Sequence, residues 1–285
     1  MIRRLILALT VSLTALPVLA EPSRIVVAGG DLTEIVFALG AGERVVGVDQ
    51  TSSFPAETAE IAQIGYVRRL SSEGVLSLAP DLVIAAHDAG PDVAMEQLEA
   101  AGVTIAKAPA ATTAADISEK IRFVGAAIGA AEKAEDMAAA FTEDLAAVTA
   151  KTAQLPNKPR LMFILAIRNG APLIGGSGTS ADEMIRLAGG VNVAAEIDGY
   201  KPMSQEAILS AAPEVIVMME QHATRMGGVE EVLSRPEIAL TPAGQNARAV
   251  TMDGMLLLGF GPRTPAAVAE LARALQPEAA KAAGL

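Results

Sequence analysis

The sequence contains no cysteine and no tryptophan, and it has only two tyrosines and six phenylalanines among 285 residues. The lack of cysteine excludes disulfides, thiolate metal sites, cysteine nucleophiles and a lipidated cysteine after a leader peptide. The low aromatic content leaves little ring surface for stacking on a sugar or on many iron chelates. Only His87 and His222 offer imidazole ligands. Their separation along the chain argues against a multi-histidine zinc or manganese site.

The N-terminal segment predicts a secretory signal peptide over residues 1–20. Arg3 and Arg4 precede an apolar run from Leu5 to Leu19, and the small Ala20 ends the segment. The run is too short to cross a bilayer comfortably and no comparable run follows, which disfavours a transmembrane protein. We therefore expect the mature chain to be exported to the periplasm of a Gram-negative cell.

The charge balance is acidic, with 33 Asp and Glu residues against 22 Lys and Arg residues. Loss of Arg3 and Arg4 with the signal peptide would make the mature chain more acidic still. Such a balance opposes binding to nucleic acid or to anionic membranes. An anionic ligand would have to meet a local basic patch.

Short apolar, β-branched runs alternate with helical patterns, which is typical of a parallel α/β sheet covered on both faces. An Ala-rich helical stretch from 116 to about 154 separates two such alternations. The sequence therefore predicts an α/β protein of two Rossmann-like lobes with parallel sheets, joined by one long α-helix. The expected boundaries are 21–115 for the N-terminal lobe, 116–155 for the linking helix and 156–285 for the C-terminal lobe. Strands are expected at 24–28, 44–48, 81–86, 103–106, 160–166, 214–218 and 248–251, and helices at 91–101 and 265–275.

An internal repeat supports the equivalence of the two lobes. Residues 71–84 align without a gap to residues 204–217. Both segments contain Ser-x-Glu, an apolar turn, Ala-Pro and a strand. Glu73 and Glu206 therefore occupy equivalent positions and should project from the same face of the protein. They could also favour the starts of their helices, since carboxylates are stabilising in a first helical turn.

Four stretches resemble the helix-linked class of periplasmic binding proteins, and within it the haem-binding branch. The first begins with Gly-Tyr-Val-Arg-Arg and the last contains Gly-Phe-Gly-Pro-Arg; these two are the more specific. Together the matching stretches are spread over nearly the whole mature chain: 65–80, 88–91, 180–192 and 256–265. The wider class serves ABC importers of iron-siderophores, haem and cobalamin.

The resemblance implies a non-enzymatic carrier that captures haem b in the cleft between its lobes. It would deliver the haem to the permease dimer of an ABC importer, downstream of an outer-membrane haem receptor. Iron ligation falls on Tyr66, the tyrosine of the Gly-Tyr-x-Arg segment. Some members add a histidine from the second lobe, but residues 165–170 here contain none and offer Arg168 instead. In the wider family, acidic residues matching Glu73 and Glu206 dock on permease arginines.

The residue chemistry is compatible with these roles. A tyrosinate oxygen ligates ferric haem, and Arg68 and Arg69 can supply the positive charge that a phenolate needs or pair with haem propionates. His87 follows a predicted strand at the edge where open α/β sheets bind ligands, although a single histidine there is more often structural. Arg263 could face the ligand or form a salt bridge with the opposite lobe. Without the family, Tyr66 would be read as a half-buried loop residue beside surface arginines.

Two alternatives remain open from the sequence. A carrier of this fold could bind a ferric siderophore or a corrinoid. A chelatase-like enzyme on a related scaffold is less favoured, because the sequence has no phosphate-cradling Gly-rich loop and no convincing Ser-His-Asp arrangement.

Overall fold

The computed structural model describes residues 21–285, so the signal peptide expected at 1–20 lies outside the described residues. The first lobe contains seven strands and three helices. In chain order they are β1 (Ile25–Ala28), α1 (Gly30–Ala38), β2 (Val45–Val48), β3 (Ala62–Gln63), β4 (Gly65–Tyr66), β5 (Arg69–Leu70), α2 (Ser72–Leu76), β6 (Leu82–Ala85), α3 (Asp92–Ala100) and β7 (Thr104–Lys107).

The main sheet of the first lobe is parallel, in the order β3-β2-β1-β6-β7. The strands β1 and β6 are buried along their whole length, as expected for apolar runs covered on both faces. Ile25 and Val27 of β1 pack with α1 on one face, and Val26 and Ala28 pack with α2 and α3 on the other. The short strands β4 and β5 pair only with each other.

The linking stretch differs from the expectation, because residues 116–155 hold parts of two helices instead of one. These are α4 (Ala114–Ala127) and α5 (Ala131–Ala153). Gly129 between them has a φ of 77°, a conformation that ends a helix and that glycine adopts without strain. The two helices then pack on each other, with a hydrogen bond of 3.1 Å between the hydroxyls of Ser118 and Thr142. The 23-residue α5 is the long helix that leads into the second lobe.

The second lobe contains six strands and nine helices. They are β8 (Arg160–Arg168), β9 (Ala171–Gly175), α6 (Ser180–Leu187), β10 (Val191–Asn192), β11 (Tyr200–Pro202), α7 (Gln205–Ala211), β12 (Val215–Met219), α8 (Glu220–Arg225), α9 (Val229–Ser234), α10 (Pro236–Ala239), α11 (Pro242–Gln245), β13 (Ala249–Met252), α12 (Gly254–Leu258), α13 (Thr264–Leu275) and α14 (Pro277–Ala282).

The sheet of the second lobe is mixed and runs in the order β11-β9-β8-β12-β13. The strands β8, β12 and β13 are parallel, as expected, and β10 adds a short parallel pairing to β8. The strands β9 and β11 are antiparallel to their neighbours. The strand β9 runs antiparallel to β8 because a two-residue hairpin at Asn169 and Gly170 joins them. Their φ angles of 49° and 80° suit the type I′ turn that Asn-Gly favours.

The internal repeat is confirmed in three dimensions. Ser71 caps α2 and Ser204 caps α7, each through a hydroxyl oxygen that accepts a backbone N–H bond from three residues further on. After its helix, each repeat has an alanine in the left-handed region directly before a proline. These alanines are Ala79 at φ 45° and Ala212 at φ 43°. The two lobes therefore repeat the same strand-and-helix unit down to its unusual backbone angles.

Helix α1 joins the first lobe to two other parts of the chain. Its Asp31 forms a salt bridge with the buried Lys120 of α4. Its buried Glu34 accepts two hydrogen bonds from Arg263, the residue before α13. The segment after β1 thus meets the segment after β13, so the carboxyl edges of the two sheets face each other. Within residues 21–285, no helix has the length and hydropathy needed to cross a bilayer.

Candidate functional site

Tyr66 lies on a small hairpin at the carboxyl edge of the first sheet. The strands β4 and β5 are antiparallel, and Tyr66 is directly opposite Arg69. Val67 and Leu70 are buried and anchor the hairpin in the apolar cluster that contains Val26 of β1. The ring of Tyr66 stays half-buried, while Arg68 and Arg69 are exposed. The hairpin therefore presents a phenol and two guanidinium groups at the surface of the lobe.

The structure brings Tyr66, Arg68 and Arg69 together, as the sequence predicts. Arg68 donates a hydrogen bond through a terminal nitrogen to the phenol oxygen of Tyr66. The guanidinium carbons of Arg68 and Arg69 lie 5.7 and 5.8 Å from the centre of the ring, within cation–π range. The phenol oxygen of Tyr66, the atom through which a tyrosine binds haem iron, therefore lies beside two positively charged groups.

Asp88 also belongs to this cluster, and the sequence did not predict a role for it. Its Oδ2 accepts a hydrogen bond of 2.6 Å from Nε of Arg68 and forms a salt bridge with the same guanidinium. Burial opposes the charge on Arg68, but the hydrogen bond and the charge of Asp88 outweigh it and raise the pKa of Arg68. Arg69 forms no salt bridge within the described chain. His87, the residue before Asp88, is exposed just beyond β6.

Tyr200 belongs to a Gly-Tyr pair that precedes the repeated segment of the second lobe, as Tyr66 does in the first, but its surroundings differ. It begins the edge strand β11 and packs edge-on against Phe163, with ring centroids 6.4 Å apart. Although 37% of the residue is exposed, its hydroxyl is enclosed by Thr179 and Ser180 at the start of α6, and this burial raises the pKa of Tyr200. The charge of Arg68 partly offsets the rise, which puts Arg68 within electrostatic reach of the opposite lobe.

Arg168 and His222 lie at the carboxyl edge of the second sheet. Arg168 is exposed beside the β8–β9 turn. The turn is held in place by Arg235, which donates a hydrogen bond of 3.0 Å to the Gly170 carbonyl. His222 is half-buried, and its Nδ1 bonds to the carbonyl oxygen of Leu165. Because a carbonyl can only accept, Nδ1 is the donor in this bond.

Arg263 is engaged with the first lobe. Its Nε donates a bond of 2.9 Å to Oε2 of Glu34, a terminal nitrogen donates to Oε1, and the guanidinium lies 3.9 Å from the ring centre of Phe54. Burial raises the pKa of Glu34, and Arg263 offsets part of that rise. Arg263 could have faced the ligand or formed a salt bridge with the opposite lobe, and in the structure it forms the salt bridge.

Glu73 and Glu206 lie in the first turns of α2 and α7, and both are exposed. Neither forms a salt bridge in the part of the chain that the structure describes. Their helices follow the hairpin of Tyr66 and the strand of Tyr200 respectively. Each lobe thus carries a tyrosine and, a few residues later, an unpaired surface carboxylate.

Comparison with known proteins gives a consistent assignment. Residues 25–256 match the family described as periplasmic binding protein. Among solved structures, the periplasmic heme-binding protein RhuT from Roseiflexus sp. RS-1 superimposes with a TM-score of 0.86 and 40% sequence identity, over 90% of this chain and 99% of that chain.

Curated relatives carry names from the same transport class. The uncharacterized ABC transporter substrate-binding lipoprotein YvrC of Bacillus subtilis is 30% identical over 265 residues, which are 92% of this chain and 82% of the relative. A vitamin B12-binding protein of Vibrio parahaemolyticus is 28% identical over 232 residues, covering 80% of this chain and 82% of the relative.

Proposed function

Because this chain belongs to the periplasmic binding protein family, we propose that it is an exported carrier that captures haem b between its lobes and delivers it to an ABC importer. The observation that carries the choice of ligand is the Tyr66 phenol, bonded by Arg68 and flanked by Arg69. A phenolate is a recognised protein ligand of haem iron. The heme-binding name of RhuT, at 40% identity, supports the same choice.

Each site residue has a distinct part in this proposal. Tyr66 ligates the iron, and Arg68 holds its phenol oxygen in place through a hydrogen bond. Arg69 and Arg168 are exposed and form no salt bridge among residues 21–285, so their guanidinium groups are free to pair with the haem propionates. These arginines form the local basic patch that an anionic ligand needs on a chain with an acidic net charge. Binding of this kind involves no covalent step on the ligand, so the proposed role is not enzymatic.

His87 and Arg263 have lesser parts. His87 is exposed at the cleft edge beside Asp88 and could contact the rim of the porphyrin. Arg263 acts on the ligand only indirectly, because its guanidinium is bound to Glu34. The geometry therefore supports a haem site centred on the hairpin of the first lobe.

A corrinoid carrier is the second candidate, favoured by the vitamin B12-binding relative. The test is to titrate the purified mature protein with ferric haem and, separately, with cyanocobalamin, and to record absorption spectra. We expect saturable haem binding with the charge-transfer band of a tyrosinate complex, and no saturable change with cyanocobalamin. Saturable binding of cyanocobalamin alone would favour the corrinoid carrier, and binding of neither would contradict both.

The docking face follows from the repeat. We propose that Glu73 and Glu206 each contact one subunit of a two-fold importer permease in the inner membrane, with an outer-membrane haem receptor supplying the ligand. Both carboxylates are exposed and equivalent, and the YvrC relative is named as an ABC transporter substrate-binding protein.

Docking can be separated from helix capping by one pair of variants. Replacing Glu73 and Glu206 together by Ala should leave haem binding and thermal stability nearly unchanged and abolish haem-stimulated ATPase activity of the reconstituted importer. The matched control replaces Glu132 and Glu143, exposed glutamates of α5, and should leave that stimulation intact. Retained stimulation in the first variant together with a lower Tm would indicate that the two glutamates act only at their helix termini.

A further inference from the structure

A fully buried carboxylate lies directly behind the Tyr66 hairpin. Asp49 follows β2, has no exposed surface, and has no basic partner in the part of the chain that the structure describes. Burial of an ionisable group without a counter-ion is costly unless hydrogen bonds replace the lost water. Asp49 is not a ligand in the proposed haem site, so the burial of its carboxylate has another cause.

Three backbone N–H groups from different parts of the lobe converge on Asp49. Gly29, after β1, donates to Oδ1 over 3.0 Å; Thr51 donates to Oδ2 over 3.1 Å; and Val67, next to Tyr66, donates to Oδ2 over 3.2 Å. The hydroxyls of Thr51 and Ser52 complete the shell. The carboxylate thus ties the Tyr66 hairpin to the ends of β1 and β2.

The hairpin needs this connection because it is not part of the main sheet. Its remaining backbone contacts to the lobe are few. Gln50 donates to the Gly65 carbonyl over 2.8 Å, and Gly90 exchanges bonds of 3.0 and 2.8 Å with Val67 and Leu70. The bonds at Gly65 and Val67 flank Tyr66 on its two sides, and Asp49 is the only ionisable acceptor among these bonds.

We propose that Asp49 is the positioning residue for Tyr66: its carboxylate fixes the hairpin so that the phenol stands at the cleft in register with Arg68. The haem part of this inference rests on the proposed function, whereas the hairpin part does not. Asparagine in place of Asp49 keeps one acceptor oxygen for Gly29 and the hydroxyls. Its amide nitrogen cannot accept the N–H bonds of Thr51 and Val67.

The experiment compares Asp49→Asn with Asp81→Asn in the full mature protein. Asp81 is a matched control because its carboxylate also accepts two backbone N–H bonds, from Ser23 at 2.8 Å and Arg24 at 3.0 Å, before β6 at the other end of the sheet. In apo protein, we expect Asp49→Asn to speed hydrogen exchange at the Val67 amide about tenfold relative to wild type, the size expected for one lost hydrogen bond. Asp81→Asn should leave that amide unchanged.

The second readout is the ferric haem complex. Asp49→Asn should weaken haem binding about tenfold and reduce the tyrosinate charge-transfer band, while Asp81→Asn should match wild type. If Asp49→Asn does not fold, Ser52→Ala removes one hydroxyl bond of 3.2 Å to the same carboxylate and should give a smaller change at the same Val67 amide.

Two results would overturn the inference. One is unchanged Val67 exchange in Asp49→Asn, or in Ser52→Ala where that variant is the one measured. The other is a uniform rise in exchange that includes core strand residues such as Ile84 and Ile164, which marks a purely structural role. Failure of the wild type to bind haem would contradict the proposed function alone, because Val67 exchange in apo protein still decides the role of Asp49.

Discussion

The two tyrosines of this chain each lie shortly before a repeated segment and yet have different surroundings. Each follows a glycine of positive φ, Gly65 at 94° and Gly199 at 72°, and each precedes a serine-capped helix. Tyr66 lies on a hairpin outside the main sheet, whereas Tyr200 lies on a strand that pairs with β9 inside it. Both lobes therefore have a Gly-Tyr pair before the repeated helix, and the surrounding backbone and side chains determine what each tyrosine can do.

The two lobes also differ in the buried polar residue at the end of the second parallel strand. The strands β2 and β10 are equivalent, since each pairs in parallel with the first strand of its lobe. At their ends the first lobe has the carboxylate of Asp49 and the second has the buried amide of Asn192. The Asn192 side chain bonds to the Gly175 carbonyl, to Asp182 and to the Ala194 N–H, and none of these lies in β11. A segment already held by a sheet needs no such carboxylate.

Replacing each tyrosine in turn should give the largest difference between the lobes. Tyr66→Phe keeps the ring and removes the oxygen donor, so we expect the charge-transfer band to disappear and haem affinity to fall by at least about 100-fold, beyond the usual loss for an outer-sphere partner. Tyr200→Phe should change affinity by less than about threefold, since its hydroxyl faces α6. An unchanged spectrum for Tyr66→Phe would contradict the assignment of the ligand.

A smaller effect should separate the two arginines beside Tyr66. Arg68→Ala removes the donor to the phenol and leaves the Asp88 carboxylate without its partner, so we expect haem affinity to fall about tenfold. Arg69→Ala removes an exposed cation and should cost about threefold. For both variants, haem affinity and the pH dependence of the haem absorption spectrum are measured. Equal behaviour of wild type and the two variants would make these arginines surface residues.

The smallest effect is expected in the pH dependence of the free energy of unfolding, where Asp49 and Asn192 should differ. Burial raises the pKa of Asp49 above its ordinary value of 3.8, so its carboxyl takes up a proton more readily in the folded state. Its contribution to stability is fully present below pH 3.8 and is lost as the pH rises through the raised value. The free energy of unfolding of wild type minus that of Asp49→Asn should therefore be larger at pH 4 than at pH 7.5.

Asn192 provides the comparison for this pH dependence. Asn192→Ala should cost about 1–2 kcal/mol of unfolding free energy, and the cost should be the same at pH 4 and pH 7.5 because an amide does not titrate. Denaturant unfolding of the three proteins at both pH values makes the measurement. A pH-dependent cost for Asn192→Ala, or none for Asp49→Asn, would remove the distinction between the lobes.

The sequence predicts the parts of this molecule that depend on local pattern. The main strands fall within one or two residues of their expected bounds, because fully buried parallel strands are continuous apolar runs. The cluster of Tyr66, Arg68 and Arg69 is also predictable, since the three residues are neighbours in the chain and share one hairpin. The Asn169-Gly170 turn carries a local signal too, although strand and helix alternation does not reveal it.

Contacts that join distant residues could not be predicted in the same way. Arg263 and Glu34 are 229 positions apart and Arg68 and Asp88 are 20 apart, so each pairing depends on how helices and lobes pack. The single helix expected over 116–155 was wrong, because alanine-rich sequence favours helix on both sides of Gly129 and a glycine alone does not decide whether a helix ends there. The role of Asp49 becomes visible only when three separate segments converge on its carboxylate.

Electrostatically, α1 is where the first lobe is tied both to the linking helices and to the second lobe. Lys120 fastens it at Asp31, and Arg263 fastens it one turn further along at Glu34. Pulling either partner away from this helix would leave a buried charge, Lys120 or Glu34, without its counter-ion, and that is energetically costly. The contact at α1 therefore resists separation more than an exposed salt bridge would.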